Sequence, residues 1–189
     1  MIYVGIDNGL SGGIVAVDEN LKIPSNPTYA KNQPGIFDDE TGTYAWVMPT
    51  IKGKGKNIYD IKRITKILTY LKNYAQLNRK PIYAVLEKAH ILPKNGGRAN
   101  FTTGECFGMM QGILSTLNIS YEIVSAKMWQ QKIFQGQTVT DTKQSSILYC
   151  QNKYPDIDWR ISKKGRKPHD GKTDAACMAV YCHRLNRRA

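Results

Sequence analysis

A chain of 189 residues with 41% hydrophobic and 10% aromatic content is long enough for one domain with a full core and too apolar to be disordered. Twenty-seven Lys and Arg against fifteen Asp and Glu leave a net charge of +12, beyond what solubility requires, which points to a polyanionic partner and first of all to nucleic acid. No window approaches the ~18 consecutive apolar residues of a membrane span and no basic segment leads into an apolar signal core, so a membrane protein is excluded and a cytoplasmic location is expected. Cys106, Cys150, Cys177 and Cys182 form no C-x-x-C pair and read as core thiols rather than as a zinc site or disulfide frame.

In chain order, residues 2 to 7 and 13 to 18 read as two strands joined by the turn Leu10-Ser11-Gly12-Gly13. Residues 20 to 43, rich in Pro, Asn, Asp and Gly, read as a long irregular insertion, and 44 to 48 as a third strand closed by Pro49. "KGKGK" (52 to 56) is either a solvated loop or a phosphate-contacting arm. Ile61, Ile64, Ile67, Leu68, Leu71 and Ala75 recur at helical spacing and predict an amphipathic helix over 59 to 77. A short strand at 82 to 86 then reaches Glu87, followed by a basic loop at 93 to 100, a small-residue helix at 101 to 117, and a fifth strand in "SYEIVS". A short helix around Trp129, another from about 140 to 154, a basic loop at 161 to 172 and a last helix at 173 to 185 complete the chain. The pattern predicts a single α/β domain spanning 1 to 189, a mixed five-stranded sheet with helices on both faces.

Two strands deliver a carboxylate. Asp7 ends "YVGID" and Glu87 ends "IYAVLE", although an isolated carboxylate in a buried strand costs several kcal/mol unless it is paired or bound to a metal. A single such aspartate is more often capped or salt-bridged than catalytic. In "HDGKTDAACMAVYCHR", however, Asp170 and Asp174 are four apart and share one helix face if the helix begins near Asp170. Four carboxylates from separated segments could therefore converge. Oxygen ligands select hard cations, and a pair of Mg²⁺ or Mn²⁺ ions about 3.5 to 4 Å apart is the usual device for phosphodiester cleavage.

"GIDNGLSGG", "AVLEKAH" and "HDGKTDAACMA", in this order, resemble the RuvC-type Holliday junction resolvases. "VLEKAHILPKNGGRANFTTGECFGMMQGIL" followed by "YEIVSAKMWQQ" is similar to the phage and organellar branch, so the likeness spans nearly the whole chain outside 20 to 43. The resemblance implies an RNase H-like fold, a homodimer, two Mg²⁺ per active site with Mn²⁺ as a substitute, paired symmetric nicks in four-way DNA, and a bacterial cell or phage-infected host. By position it implies Asp7, Glu87, Asp170 and Asp174 as metal-binding and catalytic acids, with His169 able to share the role of Asp170 or simply to be solvated. Lys143, in "TDTKQSS", matches a lysine that contacts the junction in bacterial relatives. Gln130 and Gln131 stand where the phage branch usually shows lysines, and Lys132 follows.

Expected DNA contacts are Lys94, Arg98 and Phe101 around the loop after the Glu87 strand, Lys127 and Lys132 around Trp129, Lys143, and Lys163, Lys164, Arg166 and Lys167 in the second basic loop. Phe101 could wedge the junction or sit at a dimer interface. Met109, Met110 and Trp129 read as core, and "HRLNRRA" as a solvated helix end or a further phosphate contact. Three other functions fit parts of the pattern. A phosphate-binding glycine hairpin also opens sugar kinases and actin-like ATPases, which need a second such domain. An RNase H-like nuclease on flaps or RNA:DNA hybrid would use the same metal chemistry, and a non-catalytic DNA-binding module would not need all four acids.

Overall fold

The computed structural model describes residues 1–32, 36–37, 41–90, 96–136, 141–161 and 165–187. Strands β1 (Ile2–Asp7) and β2 (Gly13–Val17) form an antiparallel hairpin, and β3 (Ala45–Val47) pairs antiparallel with β2. On the other side of β1, β6 (Ile82–Glu87) runs parallel to it and β7 (Ser120–Val124) parallel to β6, giving the order β3-β2-β1-β6-β7. This is the mixed five-stranded sheet that the strand pattern predicts.

Side-chain alternation assigns each face a different set of helices. Ile2, Val4, Ile6, Ala84 and Leu86 face one core, which also holds Ile64, Ile67, Leu68 and Leu71 of α2 (Ile61–Leu77) and Cys106, Met110 and Leu114 of α3 (Gly97–Thr116). Tyr3 and Val85 face the other core, built from α4 (Ala126–Ile133), α5 (Thr142–Lys153) and above all α6 (Asp170–Asn186). Counting by twos from Tyr3 and Val85, Asp7 and Glu87 fall on the α6 face, side by side at the C-terminal ends of two parallel strands, because Ile6 pairs with Leu86. The sheet therefore fixes both acids.

Helix α6 lies unusually close to that face. A Cβ on Gly5 would come within 2.0 Å of the Ala175 carbonyl oxygen and 2.4 Å of the Ala179 nitrogen, and one on Gly171 within 2.0 Å of the Ser11 carbonyl oxygen. Only glycine permits this backbone approach, which seats the start of α6 against the β1–β2 turn.

Several boundaries differ from the sequence reading. The "KGKGK" segment is the exposed turn of a two-stranded hairpin, β4 (Thr50–Lys52) and β5 (Asn57–Tyr59), which the sequence pattern did not announce, with Gly55 at φ +77° and the Gly53 amide donating to the Lys56 carbonyl at 2.8 Å. Three-residue strands carry too little alternation to announce themselves. The stretch read as irregular contains a short helix, α1 (Pro27–Asn32), begun by Asn26, whose side chain accepts from the Tyr29 amide. Helix α3 starts at Gly97, so 97 to 100 are helical rather than loop, since nothing but helix-poor glycine marked that end. Helix α6 starts at Asp170, three residues before the predicted start, because His169 caps it: its Nδ1 accepts from the Lys172 amide at 3.1 Å. All four cysteines are free and buried, as expected of core thiols.

Candidate functional site

The four acids arrive from three parts of the chain. Asp7 comes from β1 and Glu87 from β6, while Asp170 and Asp174 lie one turn apart at the start of α6, which the glycine contacts hold over the same strand ends. All four are partly exposed, whereas the strands beneath them are buried. They lie at the C-terminal ends of β1 and β6 and the facing start of α6.

Their electrostatics show that they face one another. Burial pushes the Asp7 carboxyl well up, and Glu87, Asp174 and Asp170 add to the rise, against a Gly9 amide that donates to Asp7 Oδ1 at 3.1 Å. Burial also raises Glu87, opposed by the Trp129 indole N–H, which donates to Oε1 at 3.1 Å, and by nearby His90. Asp174 is pushed up to about 7 by burial, and Glu87 and Asp170 reinforce the shift against the Ser146 hydroxyl and Lys143. Asp170 differs. Burial raises it, but the Lys143 ammonium at 2.6 Å and the Gly171 amide at 3.0 Å outweigh that and hold it below the ordinary carboxylate range.

This donor set suits a hard divalent cation. It offers carboxylate oxygens only, three of the four acids are held in a state that added positive charge would relieve, and Asp174 Oδ1 is buried with no hydrogen-bond partner among the described residues. Among the described residues no three His, Cys, Asp or Glu side chains are closed into a ready ligand cluster, so side chains would have to draw in around an ion. His169 contributes less than its position suggests. It is 7% exposed and its Nδ1 is engaged in capping α6.

The basic residues divide into three groups. Lys143 reaches the acids through Asp170, and its side chain remains 69% exposed. Arg98 and Phe101 are exposed on the first turns of α3, Phe101 at 72%, which rules out a core role for that ring. Lys127, Arg166 and Lys167 are exposed, and Lys132 half-buried, with no ion pair to an acid among the described residues. Lys94, Lys163 and Lys164 lie outside the described residues. The C-terminal segment is tied down at its start, where His183 is 2% exposed with Nε2 3.1 Å from the Glu19 carbonyl and Arg184 Nη1 donates to the Lys132 carbonyl at 2.7 Å, whereas Arg187 at the helix end is exposed.

Three residues at the site escaped the sequence reading. Asn8 is buried, its Nδ2 donates to the Glu87 carbonyl at 3.1 Å, and its own carbonyl accepts from the Tyr59 hydroxyl at 3.2 Å. Tyr59 belongs to the β4–β5 hairpin that the glycine-rich segment concealed. Trp129 is buried, as a core residue should be, but its indole N–H is spent on Glu87. A buried indole needs an acceptor, yet no spacing in the sequence names which one.

The sheet order, the crossing of α6 over β1 and the placement of acids at the strand ends define an RNase H-like α/β fold of the RuvC kind. Among solved structures, RuvC of Thermus thermophilus matches with a TM-score of 0.51 at 14% identity, covering 100% of this chain and 96% of that one. Thermus thermophilus RuvC in complex with Holliday junction substrate matches at 0.52 and 14% identity, covering 100% of this chain and 95% of the other. No family model matches the sequence, and no curated protein is similar to it. Among the described residues no helix is long and apolar enough to cross a membrane.

Proposed function

We propose that this chain is a metal-dependent, structure-selective DNA endonuclease whose substrate is the four-way junction, acting in the cytoplasm as a homodimer of single RNase H-like domains of the phage and organellar kind. The observation that carries the reading is the gathering of Asp7, Glu87 and Asp174, three acids with raised carboxyls and no ion pair among the described residues, in a chain of net charge +12. Such an arrangement repels DNA unless something positive is bound there, while the rest of the surface attracts it. The fold shared with a RuvC that binds Holliday junction substrate supports the choice of branched DNA.

In this reading Asp7, Glu87, Asp170 and Asp174 hold Mg²⁺, with Mn²⁺ as a substitute, and two ions would supply an activated water and stabilise the leaving 3′ oxygen. The protein supplies rigidity. Adjacent parallel strands fix Asp7 and Glu87, Asn8 locks the Glu87 backbone, and the capped start of α6 presents Asp170 and Asp174. Lys143 neutralises Asp170 and can turn its ammonium toward an approaching phosphate. Arg98, Lys127, Arg166 and Lys167 are free to take phosphates along the arms, Lys94, Lys163 and Lys164 extend the basic set, and Phe101 stacks on an unpaired base. Affinity should then fall steeply with salt.

The test is cleavage of a synthetic four-way junction in Mg²⁺ beside linear duplex, a flap and an RNA:DNA hybrid. Paired symmetric nicks in the junction alone support the resolvase; cutting of flap or hybrid moves the activity to a general RNase H-like nuclease, and no cutting in Mg²⁺ or Mn²⁺ leaves a DNA-binding module.

A further inference from the structure

Of the three tryptophans in the chain, all three are buried, at 1% exposure for Trp46 and Trp129 and 3% for Trp159. The Nε1 atoms of Trp46 and Trp159 have no partner among the described residues, so this core tolerates an indole N–H without an acceptor. Trp129 is placed otherwise. Its Nε1 donates to Glu87 Oε1 at 3.1 Å, across forty-two positions of sequence. The placement is built: β7 ends at Val124, which pairs with Glu87, Ser125 caps α4 by accepting from the Met128 amide, and Trp129 closes α4's first turn. On its far side the indole rests edge-on against Phe134, with ring centroids 6.0 Å apart.

We infer that Trp129 is a positioning residue for the metal site: its indole N–H holds one oxygen of Glu87 so that the other is left to ligate a cation. This rests on the metal-dependent nuclease reading of the same acids. The chemistry suits the task. An indole is a donor only, so it can fix a carboxylate oxygen but can neither bind the metal itself nor accept a proton from the glutamate. Being rigid and buried, it loses no rotamer freedom when the ion arrives, and it leaves Oε2 as the atom with freedom to move. A partner of this kind behind a ligating carboxylate typically contributes ten-fold or more in metal affinity.

The experiment is Mn²⁺ binding by electron paramagnetic resonance on the full chain, together with the Mn²⁺ dependence of junction cleavage. Trp129→Phe should weaken Mn²⁺ binding about ten-fold and shift the metal concentration for half-maximal cleavage by the same factor, with most of the maximal rate regained at high Mn²⁺. Trp159→Phe, which removes an indole from the same core whose N–H has no partner among the described residues, should leave Mn²⁺ affinity unchanged. In a Glu87→Gln background Trp129→Phe should produce no further loss. Equal weakening in Trp129→Phe and Trp159→Phe, or an additive loss in the double variant, would overturn the inference. A readout that does not depend on a Trp129 variant folding is the indole ¹⁵N–¹H spectrum of the natural chain: one of its three signals should move on adding Mg²⁺ and should be displaced in Glu87→Gln, and three unmoved signals would sink the idea. If the natural chain cuts the junction but Trp129→Phe binds Mn²⁺ as tightly, only the positioning role fails. If the natural chain binds no Mn²⁺ and cuts nothing, the nuclease reading fails and takes this inference with it.

Discussion

Two acid-bearing regions of the molecule sit in opposite electrostatic states. At the N-terminal edge, Glu19 meets Lys80 at 2.6 Å and the chain's own amino terminus at 3.2 Å, and these hydrogen bonds, Lys80 first, hold its carboxyl down at about 2. At the strand ends, Asp7, Glu87 and Asp174 meet mainly burial and one another, and all three are raised. A carboxylate supplied with cations is satisfied; a set that meets mainly burial and like charge would gain from a cation bound among its members. Asp170 is intermediate, lying beside these acids at the start of α6 but neutralised by Lys143. The contrast separates the two sets of acids better than burial does, because all five are partly exposed.

The largest expected effect comes from breaking the prepared set. Asp7→Asn or Glu87→Gln should lower junction cleavage at least about 10³-fold, a loss of several kcal/mol of transition-state stabilisation. Junction affinity measured in Ca²⁺ or chelator should stay within a few-fold, since no positive surface is removed. The same Asp7→Asn change should raise the melting temperature of the metal-free protein, because it deletes a repulsion that only an ion relieves.

Next is the seat of α6. Gly171→Ala places a Cβ 2.0 Å from the Ser11 carbonyl oxygen and 2.5 Å from Gly12 Cα, both backbone, so the helix start must move. A destabilisation of about 3 kcal/mol or more is expected, read as a fall in the denaturant midpoint, with cleavage lost alongside it.

A smaller effect sharpens the comparison by pH. Asp174 titrates at about 7 in the fold against an ordinary 3.8, so between those values the native state holds a proton that the unfolded chain has released. With more protons on the native than on the unfolded state, stability falls as pH rises through that window. His169 and His183, both lowered by burial, act in the opposite sense near neutrality, so the clean measurement is a difference. In chelator, the melting temperature of Asp174→Asn should exceed that of the natural chain by an amount that grows from pH 4 to pH 7, reaching about 5 °C, and millimolar Mg²⁺ should shrink the gap. Glu19 runs the other way: its stabilisation is present above about 4.5 and fades as pH falls toward 2.

The smallest effect belongs to the satisfied edge. Glu19→Gln, at a site whose side chain is 41% exposed, should cost no more than about 1 kcal/mol and leave cleavage unchanged. A large loss of activity there would break the distinction between the two regions.

Much of this was written in the chain itself. Alternation in "IYVGID" and "IYAVLE" fixes which way Asp7 and Glu87 point once each segment is a strand, and the four-residue spacing of Asp170 and Asp174 places them on one helix face. These are local consequences of backbone period, and they made the sheet and the acid set legible. What was not legible depends on distant partners. That β1 and β6 lie side by side, that α6 touches β1 closely enough to demand Gly5, that a hairpin of two three-residue strands delivers Tyr59 to Asn8, and that Trp129 rather than Trp46 or Trp159 finds a carboxylate were decided by the tertiary structure. Burial and the approach of like charges, which give the acids their raised state, exist only after segments eighty and more residues apart have met, so no local pattern could carry them.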